Sequence, residues 1–594
     1  MSELHLNTGK RNGTRSRRSF RVVLIKPSHY DNDGYVIQWY RSAIPSNTLA
    51  SLYGLIREAS ESRALGPDID IALEAYDETN TVIPFEQIIA DLEAADQGVV
   101  CLVGVQTNQF PRAMDISRRF RERGIQVAIG GFHISGCIAM LPELPADIQE
   151  AKDLGISLYA GECEHRIEEF LEDAWRGELK PLYNYMHALP DMTDTSIPIL
   201  TEREVRRTAG HYTSFDSGRG CPFQCSFCTI INVQGRLSRR RSPDSIEKII
   251  RANEAQGIRR YFVTDDNFAR NKDWEAVLDR MIHLKESENL KFKFVIQVDT
   301  LCHRTPNFIE KAVRAGAHRI FIGLESINPD SLMAAKKRQN KIWEYRKMLQ
   351  MWKERGAMTY AGYILGFPGD TPESIRRDIE IIKKELPLDL VEFFILTPLP
   401  GSEDHKVLHD KGVWMDPDMN KYDLNHITAH HQTMSDDELW QAYLDAWKQY
   451  YTDEHAETIM RRAVACGLKA EKLVLPLTWF RGALQIEGIH PLELGWLRNK
   501  VRKDRRPTLP RENPFLFYPR RAWEFVSSHV RWIGIFWKHH RLAKAIEADP
   551  EKLLYTDLAI KPVQEDEEQS LEMMQEHAHR IQDPRKKKEI SMAS

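Results

Sequence analysis

Between residues 212 and 401 the chain repeats one pattern six times: a short apolar run, a polar residue where the run stops, then a helical pattern. The runs cover 212–216, 260–264, 292–299, 319–326, 360–366 and 391–401, and helical periodicity falls from 243 onward and at about 274–285, 306–315, 339–355 and 372–385. Ser242-Pro243 marks one helix start, an N-cap followed by proline at the first helical position, with Ile246, Ile249 and Ile250 as its buried stripe. Parallel strands need a helical crossover between them, so six such units in series predict a (β/α)6 partial barrel rather than a closed eightfold one. The polar residues at the ends of these runs include Asp265-Asp266-Asn267, Gln297, Glu325-Ser326 and Thr397. All lie at strand carboxyl ends, the face that carries the chemistry in barrels of this kind.

Directly after the first run the chain reads Asp216-Ser-Gly-Arg-Gly-Cys221-Pro-Phe-Gln-Cys225-Ser-Phe-Cys228. Three thiols stand close together, and neither Cys nor His follows for some distance. Thiolates are soft ligands suited to zinc or to iron–sulfur clusters. A structural zinc site is normally closed by a fourth Cys or His at short spacing. Disulfide pairing would leave an odd thiol, and only 8 Cys in 594 residues points to a reducing compartment. Three readings stand: an iron–sulfur cluster with one open iron, zinc completed by a remote ligand, and a disulfide with one thiol over. The spacing favours the first.

Cys221-x3-Cys225-x2-Cys228, with the aromatic Phe227 just before the last Cys, resembles the signature of the radical S-adenosylmethionine (radical SAM) enzymes. The resemblance implies a [4Fe-4S] cluster on these three residues. Its open iron chelates the amino and carboxylate groups of S-adenosylmethionine, and one electron cleaves that molecule to a 5'-deoxyadenosyl radical. It implies an electron donor such as flavodoxin or ferredoxin. It also implies places for the nucleoside. The family often has Gly-Gly-Glu after the second strand, where this chain has Asp265, Asp266 and Asn267. Glu325 and Ser326 match the position that holds the ribose and amino-acid portion, and Gly362-x-Ile364-x-Gly366 matches the strand that packs on adenine, where missing side chains permit close approach. Gln297 and Thr397 complete the set at the ends of the third and sixth strands.

Upstream, apolar runs at 21–26, 69–76, 98–104 and 125–131 alternate with helical patterns at about 46–63, 84–95 and 110–123. This predicts a Rossmann-like doubly wound domain whose ligand edge carries Pro27, Asp77, Thr107 and Gly130-Gly131. Standing before a radical SAM motif, Gly130-Gly131-Phe132-His133 and Gly161-Glu162-Cys163-Glu164 resemble the cobalamin-binding domain of one large radical SAM class. That resemblance implies cobalamin beside Thr107, Gly130, Gly131, Phe132 and His133. Residues 27–34 do not fit the Asp-x-His-x-x-Gly pattern of other cobalamin proteins, so no lower axial His is expected. An ordinary Rossmann-like domain without cofactor is the alternative. Glu162 and His165 read as the solvated first turn of a helix at 164–175, and Cys101, Cys137 and Cys163 as core thiols.

The chain divides into a basic disordered arm (1–19), the Rossmann-like domain (20–180), an extended Pro-containing linker (181–208), the partial barrel (209–404), a mainly helical domain (405–561) and a charged disordered tail (562–594). The fold class is α/β. A formal charge of -4 gives no basic field, so nucleic acid is not an expected partner. No apolar run is long enough to span a bilayer, and the first residues lack the apolar core of a signal peptide, which reads as cytoplasmic. His426, His430 and His431 read as surface or pocket histidines rather than a metal site. The aromatic segment 531–541, with basic flanks, is either core packing with a solvated edge or a shallow contact with a membrane or lipid-like substrate.

The resemblance implies a cobalamin-dependent radical SAM enzyme acting on a small molecule, by methyl transfer, ring formation or rearrangement at an unactivated carbon. One rival is a radical SAM enzyme whose Rossmann-like domain recognises substrate and binds no corrin. Another is a non-catalytic iron–sulfur redox sensor. Methylthiolation of tRNA is disfavoured because the upstream domain lacks three clustered Cys for a second cluster. Substrate identity does not follow from these residues.

Overall fold

Two six-stranded sheets, each parallel throughout, organise the chain. The computed structural model describes residues 17–562 and 571–573. The first sheet is built from β1 (Arg18–Lys26), β2 (Ile69–Asp77), β3 (Gln97–Leu102), β4 (Gln126–Gly130), β5 (Ser157–Ala160) and β6 (Leu182–Asn184), in the order β2-β1-β3-β4-β5-β6. The order reverses at β1, so the connections leaving the paired strands β1 and β3 run in opposite directions at a switch point, where such sheets open a crevice for ligands. Helices cover both faces. The Asn47–Glu61 helix, capped by the Ser46 side chain, packs with Ile167–Arg176 on one side, and Phe85–Glu93 and Phe110–Arg121 lie on the other.

The second sheet runs in sequence order through β7 (Tyr212–Phe215), β8 (Arg260–Val263), β9 (Lys293–Val298), β10 (Ala317–Glu325), β11 (Met358–Leu365) and β12 (Leu390–Ile395). It curves into the open six-stranded barrel that the sequence predicts. Along each strand alternate residues face opposite ways. Phe294, Ile296, Ile320, Ile322, Val391 and Phe393 point outward into a core shared with the surrounding helices. Each such side chain contributes on the order of 1.5–3 kcal/mol by leaving water. The helices start where the sequence says: Ser242 accepts from the backbone of Ser245 with Pro243 behind it, and Ser435 forms a capping box with Glu438.

Several expectations are corrected. The first strand begins at Arg18, which pairs with Ile69, so residues 18 and 19 are sheet and not arm; residues 1–16 lie outside the described residues. The stretch 181–208 is not simply a linker, because β6 lies within it and pairs with β5. Both strands are too short to read as apolar runs. The domain expected to be helical includes Gly495–Asn499, which pairs antiparallel with Gln38–Ser42 and ties that domain to the first. Most of the tail lies outside the described residues, but Glu572 and Met573 donate backbone N–H groups to the Glu385 carboxylate and Met573 is buried, so that segment is docked.

Candidate functional site

The cysteine loop leaves the carboxyl end of β7 and is pinned before it turns. Gly218–Arg219 pairs antiparallel with Arg239–Arg240, closing the loop at its base. Gly220 has φ +91°, and a Cβ there would stand 2.5 Å from the carbonyl oxygen of Leu237, so only glycine fits. The backbone N–H of Cys221 then donates to Gly235 (3.2 Å), that of Ser226 to Ala335 (3.0 Å), and that of Asp404 to the carbonyl of Ser226 (3.1 Å). The loop is therefore fastened to segments after β10 and after β12.

Cys225 is buried, Cys221 and Cys228 are half-buried, and all three are free thiols. Burial pushes the Cys221 thiol up to about 11 and the Cys228 thiol up to about 12, with the charge of neighbouring Cys225 adding to both. Three thiolates at this spot need a positive partner, which is what an iron cluster is, and metal ligation deprotonates thiols outright. The donor set fits. Among the described residues no three His, Cys, Asp or Glu converge as ligands of one metal ion. In a cubic cluster each cysteine thiolate binds a separate iron.

Beside the thiols stands a buried ion pair. Lys337 binds Glu325, its ammonium lies 5.8 Å from the Phe227 ring, and Gln339 points its amide at Cys225 Sγ (3.5 Å). Burial opposes the Lys337 charge, but Glu325 and then Cys225 overcome it and hold its pKa above the ordinary value. Glu325 has φ +61° at a register shift between β10 and β11, backbone strain that turns its carboxylate toward Lys337. Ile364 and Phe367 pack with Phe227 into a small apolar seat next to the loop. The structure thus brings together Cys221, Cys225, Cys228, Phe227, Glu325 and Ile364, and adds Lys337 and Gln339, which the sequence reading missed.

The other candidates have partners within the protein. Asp265 accepts from the backbone and hydroxyl of Ser217 (both 2.6 Å), and burial pushes its carboxyl up to about 6. Asp266 accepts from Gly220 N–H (3.0 Å), and burial pushes it up to about 7. Asn267 donates to Asp299 (2.9 Å), Ser326 accepts from Asn328 N–H (2.9 Å), Gly366 N–H donates to Asp370 (2.9 Å), and Thr397 donates to the carbonyl of Ile395 (3.0 Å). Gln297 faces the barrel interior, and Gly362 lies under Phe321 and Phe394.

At the carboxyl edge of the first sheet a slot of about 160 Å³ runs between Asn47–Glu61 and Ile167–Arg176, over Leu24, Cys101, Ala128 and Tyr159. Its rim includes Gly130, Gly131 and Phe132. At Gly131, φ +149°, a Cβ would come within 2.2 Å of Val105 N, so this turn too requires glycine. Thr107 and His133 are not part of the rim. His133 is fully buried, with Nδ1 3.4 Å from Thr107 Oγ1, Nε2 3.1 Å from Asp147 and its ring on Phe110. That pair is a core contact set back from the slot. A mainly apolar slot with glycine turns at its mouth fits the approach of a cofactor's nucleotide tail to the backbone.

Between slot and loop lies Arg219, the residue before Gly220. It binds Glu162 (2.6 Å), Glu164 (2.6 Å) and Asp216 (3.0 Å), and Arg239 adds a second contact to Glu162 (2.8 Å). Glu162 is therefore no solvated helix turn, as the sequence suggests; the helix begins at Ile167, and His165 alone of the two is exposed. His426, His430 and His431 pair with Asp423, Asp436 and the carbonyl of Phe367, apart from one another.

Residues 216–382 match the Radical SAM superfamily. The chain is 25% identical over 371 residues, 61% of this chain and 76% of the relative, to bacteriochlorophyllide d C-12(1)-methyltransferase of Chlorobaculum tepidum. It is 27% identical over 353 residues, 58% of this chain and 63% of the relative, to hopanoid C-2 methylase of Rhodopseudomonas palustris. Among solved structures, the radical S-adenosylmethionine methyltransferase TsrM from Kitasatospora setae superposes with a TM-score of 0.51 at 15% identity, covering 66% of this chain and 76% of that one. That likeness is one of fold.

Proposed function

This chain is a radical SAM enzyme, and from that premise we propose that it transfers a methyl group to an unactivated carbon of a small molecule with the help of cobalamin. The observation that carries the reading is the arrangement around Arg219: a three-thiol loop at one carboxyl edge and a glycine-rimmed slot at the other, joined by one residue. Cys221, Cys225 and Cys228 would hold the [4Fe-4S] cluster. Glu325 and Lys337 would bind the polar part of S-adenosylmethionine, and Phe227 and Ile364 its apolar face. The slot would take the tail of cobalamin. When bound, the cluster supplies the electron that cleaves S-adenosylmethionine to a carbon radical, and cobalamin supplies the methyl group. The chain's own part is to hold the reacting groups close together and apart from water.

Support for methyl transfer over ring formation comes from the relatives, whose names are those of methyltransferases and a methylase. The test is anaerobic. Reconstituted protein with reductant should yield 5'-deoxyadenosine, and with substrate also S-adenosylhomocysteine; the C221A/C225A/C228A protein should hold no iron and yield neither. Activity in that variant would end the reading, and absence of stoichiometric corrin after purification with hydroxocobalamin would end its cobalamin part.

The electron donor would be flavodoxin or ferredoxin and the location cytoplasmic; among the described residues no helix is long and apolar enough to cross a membrane. Contact with a membrane surface is a separate matter. The helix Pro514–Ala548 leaves Phe515, Trp523, Val530, Ile533 and Trp537 exposed, beside the exposed cations Arg531, Lys538 and Arg541. Such a face suits the headgroup region of anionic lipid. Vesicles of phosphatidylcholine and phosphatidylglycerol should sediment the wild type and release it in high salt, whereas W523E/W537E should stay in the supernatant.

A further inference from the structure

Below its carboxyl edge the barrel is hollow. Phe262, Val295, Gln297, Phe321 and Glu392 face a cavity of about 930 Å³. Barrels of this type are normally filled by layers of side chains, and this volume is at the upper end for small-molecule pockets. Its floor comes from elsewhere in the chain. The Glu471–Gly482 helix and the Gln38–Ser42 and Gly495–Asn499 ladder cross beneath the amino ends of the strands. From them Tyr40, Leu475, Trp496 and Leu497 stand 58%, 44%, 46% and 44% exposed at the mouth, an apolar rim open to solvent.

Charge around this cavity is one-sided. Arg41, Arg260 and Lys472 stand at the mouth and Arg319 deeper in. Among the described residues none of the four is ion-paired, in a protein where most arginines are. At the inner end Glu392 is 1% exposed, and its Oε2 has no hydrogen-bond partner; nor has Nε of Arg319. Burial pushes the Glu392 carboxyl up to about 8 against the pull of Arg319, which makes it a donor at neutral pH. A buried polar group left unmatched costs on the order of 1–3 kcal/mol, so a ligand group opposite it is the simplest account. Register sets Glu392 beside Gly362, and the Gln297 amide donates to the carbonyl of Asp265 (3.4 Å), so the inner end abuts the edge assigned to S-adenosylmethionine.

We propose that this chamber holds the body of the substrate, a large and mainly apolar molecule with an anionic group, which enters from the amino end of the barrel. The apolar body lies on the aromatic walls, the anion meets the cations of the mouth, and a carbonyl or hydroxyl faces Glu392. That this molecule is the substrate rests on the radical reaction proposed above; the binding itself does not.

The test titrates full-length protein with pyrenebutyrate, a planar apolar body with one carboxylate, and with neutral pyrenebutanol, following quenching of tryptophan emission. Pyrenebutyrate should bind saturably, one per chain. V295W, which fills the chamber, should weaken it tenfold or more, and R41Q/R260Q should weaken pyrenebutyrate tenfold while changing pyrenebutanol less than threefold. F262W serves in place of V295W if that variant does not fold. No saturable binding, binding that both chamber-filling variants leave intact, or equal loss of both probes in R41Q/R260Q overturns the proposal. Wild-type formation of 5'-deoxyadenosine without substrate separates the two readings: if it fails while binding holds, the radical reading is at fault, and if it succeeds without binding, the chamber is.

Discussion

Glu325 is the residue to which the proposal gives recognition of the nucleoside cofactor, and its setting gives a definite expectation. Its backbone is held at φ +61°, and its only charged partner among the described residues is Lys337. A hydrogen bond to a charged group contributes about 1.5–3 kcal/mol. Glu325→Gln should therefore raise the S-adenosylmethionine concentration for half-maximal 5'-deoxyadenosine formation by about 10- to 100-fold, with iron per chain unchanged. If iron is lost in step with activity, Glu325 supports the cysteine loop instead of the cofactor. The same residue shows what sequence can carry. Glu325 and the three cysteines are legible because each interrupts an apolar run or sits at a fixed spacing. Lys337 is not, because it lies in Lys336-Lys337-Arg338, which reads as a solvated charge run, and only the fold around β10 buries it. His133 misleads for the opposite reason: it follows a glycine turn that does face the slot, but its ring turns inward to Asp147.

Among the elements, β12 carries the sharpest thermodynamic consequence, through Glu392. Its outward residues Val391, Phe393 and Ile395 are core, and its inward Glu392 is buried with Arg319 as the opposing charge and Tyr360, Tyr443 and Tyr451 around it. Burial raises the folded pKa from 4.5 to about 8. The sign follows: the unfolded chain gives up this proton first, so the contribution to stability is complete below pH 4.5 and is lost as pH rises through 8. Glu392→Gln should match the wild type in unfolding free energy at pH 5 and exceed it at pH 9 by on the order of a few kcal/mol. A constant difference across that range would place the carboxyl in contact with water. Element existence was readable for the barrel because each strand is an apolar run closed by a polar residue. It was not readable for β5 and β6, four and three residues long, whose pairing comes from the sheet they join rather than from their own pattern.

At the scale of the whole molecule, the question is how the cysteine loop and the glycine-rimmed slot, the two proposed cofactor sites, are held together. Arg219 supplies the answer. It precedes the cysteine loop in the chain, yet two of its three carboxylate partners, Glu162 and Glu164, follow β5 of the first sheet. All members are nearly buried, with side-chain exposures of 10% or less. Burial works against the charge of Glu164, and Arg219 more than offsets it, holding that carboxyl below its usual range. A buried pair of this kind adds little over a well-packed apolar contact, but removing one partner strands the others and costs about 3–5 kcal/mol. Arg219→Met should therefore lower Tm and, because the loop base and the slot wall share this residue, reduce iron loading and hydroxocobalamin binding together. The double variant R219M/E164Q should recover part of the stability, since one stranded charge is gone, without recovering corrin binding. Loss of iron with corrin binding intact would mean that the arginine serves the cysteine loop alone and that the two sites are aligned by some other contact.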